Sequence, residues 1–149
     1  MSLQVRPFEE PDRNAVIDLW QRCGLTRPWN DPSADIDLAT RNPNAAILIG
    51  TINDSLTATI MTGFDGHRGW IYYLAIAPEH ARNGHGRRMM AEAEQWLKQR
   101  GAPKAELMVR TENQSVIEFY RALGYDLQDV AVLGKWLKPS PQRRPHQAP

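Results

Sequence analysis

Apolar side chains recur with the spacing of one helix face along much of the chain, and runs typical of strands separate these stretches. Helices are predicted in four places, at residues 11–23, 35–42, 86–100 and 116–123. Gly101 and Gly124 follow the last two helices, where a C-terminal cap belongs. The helical part of the fold is therefore predicted to comprise about four helices.

Apolar and β-branched runs predict the strands. They lie at residues 3–6, 45–52, 56–61, 70–76 and 105–109, with one or two closing strands at 125–136. Asn53-Asp54 is a turn signal that joins the second and third strands into a hairpin, and residues 65–69 form a second turn. Hairpin strands followed by a strand–helix–strand crossover predict an α/β (α+β) fold. We expect a mixed, mostly antiparallel central sheet of six to seven strands with helices on both faces.

The composition is that of an ordinary globular protein, with 42% hydrophobic and 23% charged residues in a chain of 149. This length suits one hydrophobic core, so residues 1–138 are predicted to form a single domain. Residues 139–149 carry four prolines and no periodic pattern, which predicts a disordered tail.

Charge and cysteine content exclude several classes of partner. The net charge of +1 provides no general attraction to nucleic acid or to a membrane surface, and neither partner is expected. The single cysteine, Cys23, cannot close an internal disulfide. The first residues lack the apolar stretch of a signal peptide, and no apolar run approaches the roughly 20 residues of a membrane span. We therefore expect a cytoplasmic protein.

The segment 74–90 carries the most specific chemistry. It runs from an apolar strand through Pro78 into a loop with Gly84 and Gly86, and then into the longest predicted helix. Glycine lets the main chain approach a bulky anion, and the first turn of a helix offers unpaired N–H groups and partial positive charge. Three arginines add formal charge beside it: Arg82, Arg87 and Arg88. The pattern indicates a phosphate-binding turn, although a tight solvated loop explains the same glycines.

Two common phosphate loops do not fit this segment. A dinucleotide fingerprint requires a third glycine where Met89 stands, and the chain is too short for two mononucleotide halves. A Walker A loop requires a Gly-Lys-Ser/Thr triplet, which the sequence lacks.

The segment instead resembles motif A of the GNAT superfamily of acyl-CoA-dependent N-acetyltransferases, Gln/Arg-x-x-Gly-x-Gly/Ala. Gly84 and Gly86 match its last two fixed positions, whereas Ala81 stands at the first position and Arg82 follows it. A later motif of the family is similar to residues 113–125, and six positions match in type and spacing: Asn113, Val116, Phe119, Tyr120, Gly124 and Tyr125. Residues 27–32 and 65–69 look like the YpeA-type bacterial branch of the family.

The resemblance implies a GNAT-like fold and an acetyl-CoA-dependent N-acetyltransferase, in which a primary amine attacks the thioester directly in a ternary complex. In the family, loop amides hold the coenzyme pyrophosphate, and the end of the preceding strand pairs with the pantetheine arm. The implied acetyl-CoA-binding residues are Leu74, Ala75, Ile76, Arg82, Asn83, Gly84, His85, Gly86, Arg87, Asn113 and Tyr120. Tyr120 is implied as the acid for the departing thiolate, and a main-chain N–H near Leu74 as the hydrogen-bond donor to the thioester oxygen.

The acceptor is expected to be a small-molecule or peptide amine. Carboxylates and an aromatic face suit a cationic amine, and the candidates are Trp29, Asp31 and Asp65, with Asp35 beside them. Ordinary turn chemistry explains the same aspartates. No carboxylate lies on the strand before the loop, so the candidates for the base stay open: Glu79, Asp65, His67, Tyr72 or an ordered water.

Other chemistries find little support in the sequence. The histidines and the single cysteine lack metal-ligand spacing, and no metal is expected. A catalytically idle acyl-CoA-binding or sensing module on the same fold is the alternative, because Ala81 departs from the motif. Either function suits a monomer or a homodimer.

Overall fold

We describe residues 2–139 of a computed structural model, and the part of the predicted tail at 140–149 lies outside the described residues. The strands of its sheet are β1 (Gln4–Pro7), β2 (Ala45–Ile52), β3 (Ser55–Phe64), β4 (Gly69–Ile76) and β5 (Ala105–Leu107). They lie in the order β1-β2-β3-β4-β5. Neighbours are antiparallel except for β4 and β5, which are parallel.

In the described part of the chain, four α-helices accompany the sheet. They are α1 (Arg13–Arg22), α2 (Pro32–Arg41), α3 (His85–Gln99) and α4 (Gln114–Ala122), and 3₁₀ turns occupy Glu10–Asp12 and Pro78–His80. The predicted mixed, mostly antiparallel sheet with about four helices is confirmed.

The strand count is lower than the six to seven predicted, because the described chain contains five strands. Residues 125–136 have the apolar composition of a strand but pair with no strand among the described residues. Their apolar side chains remain exposed, as at Leu127, Val130, Val132 and Leu133. A strand exists only where a neighbour accepts its main-chain hydrogen bonds, which composition alone does not report.

The chain divides into two compact units, of which the larger comprises Met1–Thr26 and Pro32–Met108. It contains the whole sheet with α1, α2 and α3. The smaller unit comprises Arg27–Asp31 and Val109–Pro149 and contains α4. The single domain over residues 1–138 stays a prediction.

The core of the larger unit lies on both faces of the sheet. On one face, Val16, Leu19 and Trp20 of α1 and Ile36 and Ala39 of α2 join a buried cluster with side chains of β2 and β4. On the other face, α3 contacts β2, β3 and β4, and its buried residues are Met89, Met90, Ala93 and Leu97. The buried residues of α1 and α3 recur at the spacing of one helix face, as expected of amphipathic helices.

The β2–β3 hairpin follows directly from local turn chemistry. Asn53 and Asp54 both have positive φ angles, of 51° and 62°, as a two-residue turn with mirror-image geometry requires. β2 has the bounds that the sequence predicts, Ala45–Ile52.

Thr62 on β3 carries a buried hydroxyl with no hydrogen-bond partner among the described residues. We expect Thr62→Val to raise the free energy of unfolding by about 1 kcal/mol, since a methyl group of similar volume removes the cost of an unsatisfied hydroxyl. Urea unfolding followed by circular dichroism measures the change. The matched control is Thr59→Val on the same strand, which should destabilise the fold because the Thr59 hydroxyl bonds both Trp20 and the main chain of Tyr73. A Thr62→Val protein less stable than the parent would contradict the prediction.

Among the helices of the described chain, none is both long enough and apolar enough to cross a membrane.

Candidate active site

The loop before α3 has a main-chain conformation suited to an anion. After the 3₁₀ turn at Pro78–His80, Arg82 has a φ of 64° and Gly84, the N-cap of α3, has a φ of 79°. Left-handed geometry costs a side-chain-bearing residue roughly 1–2 kcal/mol, whereas glycine adopts it freely. A Cβ added at Gly84 would meet nothing within 4 Å, so the space above this residue is open.

The N-terminus of α3 is not capped by a side chain. Gly84 offers none, no acidic residue lies in the first turn, and the first helical bond runs from the Arg88 N–H to the Gly84 carbonyl at 3.1 Å. The N–H groups of His85, Gly86 and Arg87 therefore have no carbonyl acceptor within the helix. These donors and the helix dipole together favour a negatively charged ligand.

The three arginines of this segment differ in their surroundings. Arg88 is held by Glu92 at 2.9 Å and by the main-chain oxygen of Leu3 at 3.2 Å. Arg82 and Arg87 are exposed, like Asn83 between the two left-handed residues. Arg82 and Arg87 are therefore the charges available to an anion at the loop.

Within the described residues, the end of β4 has a strand neighbour on one side only. Pairing with β5 stops at Ile71, whereas pairing with β3 continues to Ile76. The Ala77 N–H donates to the Thr57 carbonyl on β3 at 2.8 Å. Main-chain groups alternate along a strand, so those of Leu74 and Ile76 point to the opposite, open edge. There, the Ile76 carbonyl accepts a hydrogen bond from the Cys23 thiol at 3.2 Å.

A bulge interrupts the pairing of β3 and β4 just before this open edge. Met61 pairs with Tyr72 and Thr59 with Ala75, so two residues of β4, Tyr73 and Leu74, stand opposite the single residue between them. The extra residue reverses the faces of β4. A Cβ on Gly69, before the bulge, would contact Leu97 of α3, whereas Ala75, after it, joins the cluster of α1 and α2.

Tyr73 sits in the bulge with a φ of 53°, which is an outlier for an aromatic residue. Its ring stacks on Trp20 with a centroid distance of 3.7 Å and an interplanar angle of 8°. Its hydroxyl donates to Asp35 Oδ2 at 2.6 Å, and its carbonyl accepts from Thr59 Oγ1 at 3.0 Å. Burial, reinforced by Asp35, raises the pKa of Tyr73 well above its usual range, so the hydroxyl remains a donor. Strain of this kind persists only where surrounding contacts determine it.

In the smaller unit, Tyr120 lies on α4 between two other aromatic rings. Phe119 and Tyr125 contact its ring edge-to-face at centroid distances of 5.0 and 6.0 Å. Burial raises the pKa of Tyr120 to about 12. The hydroxyl is consequently protonated at neutral pH, as a proton donor must be.

Asn113 precedes α4 as its N-cap residue, but its side chain makes no capping hydrogen bond. Asn113 therefore lacks the usual structural role of an N-cap asparagine, which is to accept a hydrogen bond from a main-chain N–H of the first helical turn. Its Oδ1 lies 3.5 Å from the Ser115 hydroxyl, at the limit of a hydrogen bond.

The predicted acceptor residues are divided between the two units. Trp29 and Asp31 belong to the smaller unit, where the Arg110 guanidinium lies 5.7 Å from the centre of the Trp29 ring. Asp65 belongs to the larger unit and accepts hydrogen bonds from the main-chain N–H groups of His67 and Arg68, both at 2.8 Å. Those two N–H groups lower the pKa of Asp65. The binding roles of these residues stay predictions.

The candidates for the general base differ in how readily they accept a proton. Glu79 pairs with Arg22, and the pKa of Glu79 is lowered by its own main-chain N–H and by Arg22, which makes it a weak base. Burial raises the pKa of Tyr72, so this hydroxyl holds its proton at neutral pH. Within residues 2–139, no group of three or more potential ligand side chains is placed to hold a metal ion.

Sequence reasoning missed the bulge and most of the residues that hold it: Trp20, Thr59 and Tyr73. Residues 70–76 are apolar or aromatic throughout, so no break in an alternating pattern marks the extra residue.

Comparison with known proteins connects this geometry to a family. The family model "Acetyltransferase (GNAT) family" matches residues 11–125. An acetyltransferase of Yersinia pestis (strain Pestoides F) is 38% identical over 135 residues, which cover 91% of this chain and 96% of the relative.

Solved structures show the same fold. The aminoglycoside acetyltransferase AAC(6')-Iy, solved with a bisubstrate analogue, CoA-S-monomethyl-acetylneamine, aligns with a TM-score of 0.78 at 12% identity and covers 91% of this chain and 99% of its own. The ribosomal-protein-S18-alanine N-acetyltransferase of Escherichia coli aligns with a TM-score of 0.72 at 21% identity, covering 83% of this chain and 77% of its own. The predicted enzyme class, N-acetyltransferase, is confirmed. The chain belongs to the GNAT acetyltransferase family.

Proposed function

We propose that this protein transfers the acetyl group of acetyl-CoA to a primary amine, by direct attack of the amine in a ternary complex. One observation carries the proposal: the open edge of β4 leads directly into a loop with two left-handed residues and an uncapped helix N-terminus. A strand edge suits the amide-bearing pantetheine arm, and the helix terminus suits a diphosphate. Their order along the chain matches the order of these groups in the coenzyme.

The diphosphate is assigned to the main-chain N–H groups of residues 82–87. Gly84 and Gly86 lack a Cβ, and the space beside Gly84 is open. The exposed Arg82 and Arg87 supply formal charge. The side chains of Asn83 and His85 complete this set. Ala81 stands where the family motif has Gln or Arg, so Arg82 carries the charge of that position one residue later.

The pantetheine arm and the thioester are assigned to β4. Leu74, Ala75 and Ile76 provide the strand edge, and the Leu74 N–H points away from β3. A fixed main-chain donor of this kind stabilises the negative charge that develops on a thioester oxygen during attack.

Tyr120 is assigned as the acid that protonates the departing thiolate, with Asn113 beside it in the same motif. The pKa of about 12 keeps the Tyr120 hydroxyl protonated. A lysine-like acceptor with a pKa near 10.4 is neutral in only about 1 of 2,500 molecules at pH 7, a deficit of roughly 4–5 kcal/mol. We assign loss of the amine's extra proton to exchange with bulk solvent, relayed by an ordered water, because only the neutral amine attacks the thioester.

The acceptor class is a small-molecule or peptide amine, with Trp29, Asp31 and Asp65 as candidate contacts. Structural relatives are named for an aminoglycoside and for the alanine of a ribosomal protein. Their low identity leaves the acceptor of this chain to experiment. Neamine, an alanine-initiated peptide, spermidine and lysine sample the possibilities.

Release of free thiol from acetyl-CoA tests the function. We expect acetyl-CoA to bind in calorimetry and at least one amine of that panel to accelerate thiol release above the rate without amine. Binding without thiol release from any amine would favour the alternative, an acyl-CoA-binding or sensing module. Absence of binding at millimolar acetyl-CoA would refute the assignment of the loop.

The left-handed turn provides a direct test of diphosphate binding. We expect Gly84→Val to weaken the affinity for acetyl-CoA by about tenfold or more, because a β-branched residue disfavours a φ of 79° and turns the loop N–H groups away. Isothermal titration calorimetry measures the dissociation constant.

Gly101→Val is the matched control at the other end of α3. Gly101 has a φ of 82° and equally open space, so this substitution carries a similar conformational cost. Both variants should lose thermal stability, and Gly84→Val alone should lose affinity. Equal affinities in the two variants would contradict the assignment.

A further inference from the structure

Three contacts from three separate elements converge on Tyr73, at the bulge of β4, and a hydrogen bond joins two of the contacting side chains to each other. Trp20 of α1, which is fully buried, stacks on its ring. Asp35 of α2 holds its hydroxyl at 2.6 Å. Thr59 of β3 donates to its carbonyl at 3.0 Å and accepts the Trp20 Nε1–H at 2.9 Å. These contacts hold the ring, the hydroxyl and the main chain of a residue in a left-handed conformation.

The contacts determine the orientation of the peptide between Tyr73 and Leu74. The chain has no cis peptide bond among the described residues, so the Leu74 N–H points opposite to the Tyr73 carbonyl. That carbonyl faces Thr59 on β3, and the Leu74 N–H therefore faces the open edge of β4. A Tyr73 that relaxed to ordinary strand geometry would rotate this peptide plane and its donor with it.

The Asp35 bond is the contact that joins the tip of the side chain to the fold. A stacked ring can slide over Trp20, because dispersion contacts depend weakly on lateral position. A hydrogen bond to a carboxylate acceptor fixes the hydroxyl in both distance and direction. Helix α2 carries Ile36 and Ala39 in the buried cluster, so Asp35 is held by a packed helix.

We propose that Asp35 is a positioning residue for catalysis: through the Tyr73 hydroxyl it keeps the 73–74 peptide turned so that the Leu74 N–H meets the thioester carbonyl. The inference rests on the proposed acetyl-CoA-dependent function. Asp35 contacts no reacting atom in this account and acts through Tyr73 alone. Its carboxylate is thereby assigned to the bulge and not to the acceptor amine.

The test compares two aspartates of the same helix. Asp35→Ala removes the acceptor of the Tyr73 hydroxyl, whereas Asp35→Asn retains an oxygen in its place. Asp37→Ala is the matched control, since Asp37 binds Arg13 of α1 at 2.7 Å and thus also joins α2 to another element. Acetyl-CoA labelled with ¹³C at the thioester carbonyl reports the donor directly through its infrared band, without an acceptor amine.

We expect the carbonyl band of bound acetyl-CoA to shift to higher frequency in Asp35→Ala than in the parent, because the hydrogen bond weakens. In thiol release with the best amine of the panel, kcat of Asp35→Ala should be lower than that of the parent by about tenfold or more. Complete loss of such a donor lowers kcat by about 10²–10³-fold, and a misdirected donor accounts for part of that. Acetyl-CoA affinity should remain within about threefold. Asp35→Asn should restore the band and kcat, and Asp37→Ala should leave both unchanged while it lowers Tm.

Several results would overturn the proposal. An unchanged band in Asp35→Ala, an equal effect in Asp37→Ala, or a failure of Asp35→Asn to restore the band would each show that Asp35 has only a structural role. Should Asp35→Ala fail to fold, Tyr73→Phe removes the same bond, keeps the stacked ring and is judged by the same criteria. Absence of acetyl-CoA binding to the parent protein would refute the proposed function itself, whereas normal binding with an unchanged band refutes the positioning role alone.

Discussion

Replacing Tyr120 with phenylalanine is expected to lower kcat by about 10²–10⁴-fold, the usual contribution of a positioned general acid. The substitution removes one hydroxyl and leaves the edge-to-face contacts with Phe119 and Tyr125 in place. Acetyl-CoA affinity should therefore change by no more than about threefold. Steady-state thiol release and calorimetry measure the two quantities separately.

The raised pKa of Tyr120 provides a second signature for the same residue. Burial raises the pKa of Tyr120 to about 12, above the ordinary value near 10. The neutral form is the donor, so activity that depends on it is retained below the folded-state pKa and lost as the pH rises through it. Ionisation of Tyr120 should consequently cause no fall in kcat below about pH 11. The difference in phenolate absorbance between the parent and Tyr120→Phe should titrate near the raised pKa of about 12.

Tyr125→Phe is the control for the Tyr120 substitution. Tyr125 lies against Tyr120 in the same unit, and phenylalanine keeps the ring that makes this contact. We expect Tyr125→Phe to keep kcat within about threefold. Near-normal turnover by Tyr120→Phe would remove Tyr120 from the mechanism, and equal losses in both variants would assign the effect to packing of the ring cluster.

The loop before α3 could be predicted from sequence because its determinants are local. Gly84 and Gly101 bracket α3, whose observed bounds, His85–Gln99, differ by one residue at each end from the helix predicted from periodicity. Pro78 marks the end of β4 with equal clarity. Turn residues and helix periodicity act over a few positions, and a single sequence contains them completely.

The bulge at Tyr73 could not be predicted in the same way. Asp35 lies 38 residues from Tyr73, and the bond from Trp20 to Thr59 spans 39 residues. Nothing in a window around Tyr73 reports these contacts, and its left-handed conformation contradicts the local preference of tyrosine for strands. Tertiary contacts overrule local preference here, at the point where the strand edge opens.

At residues 125–136, local composition predicts strands that the structure does not contain. Their composition is apolar, but they pair with no strand of the described chain. Asp65 illustrates a related ambiguity, because a carboxylate next to glycine suits both a turn and a binding site. Its observed hydrogen bonds to the N–H groups of His67 and Arg68 are those of a turn.

Trp20→Ala is expected to cause the largest loss of stability, about 3–5 kcal/mol in the free energy of unfolding. Trp20 is fully buried, stacks on Tyr73 and donates its Nε1–H to Thr59 at 2.9 Å. Truncation leaves a large cavity between α1 and the sheet. The Thr59 hydroxyl loses the N–H that it accepts and keeps only its bond to the Tyr73 carbonyl. Because small domains are stable by only about 5–15 kcal/mol, this one change should bring the protein close to its unfolding threshold.

Trp20→Phe separates the two parts of that loss. It keeps an aromatic ring on Tyr73 but removes the Nε1–H donor and part of the volume, so we expect a loss of about 1–3 kcal/mol. Urea unfolding followed by circular dichroism gives both values, and the slope with denaturant should stay constant if the unfolded states are alike. The same bulge depends on Trp20 and on Asp35. The double variant Trp20→Phe/Asp35→Ala should therefore lose less free energy of unfolding than the sum of the two single losses.

Strict additivity of the two losses would show that the stack and the hydrogen bond support Tyr73 independently. A loss below about 1 kcal/mol in Trp20→Ala would contradict the central place of this side chain in the core.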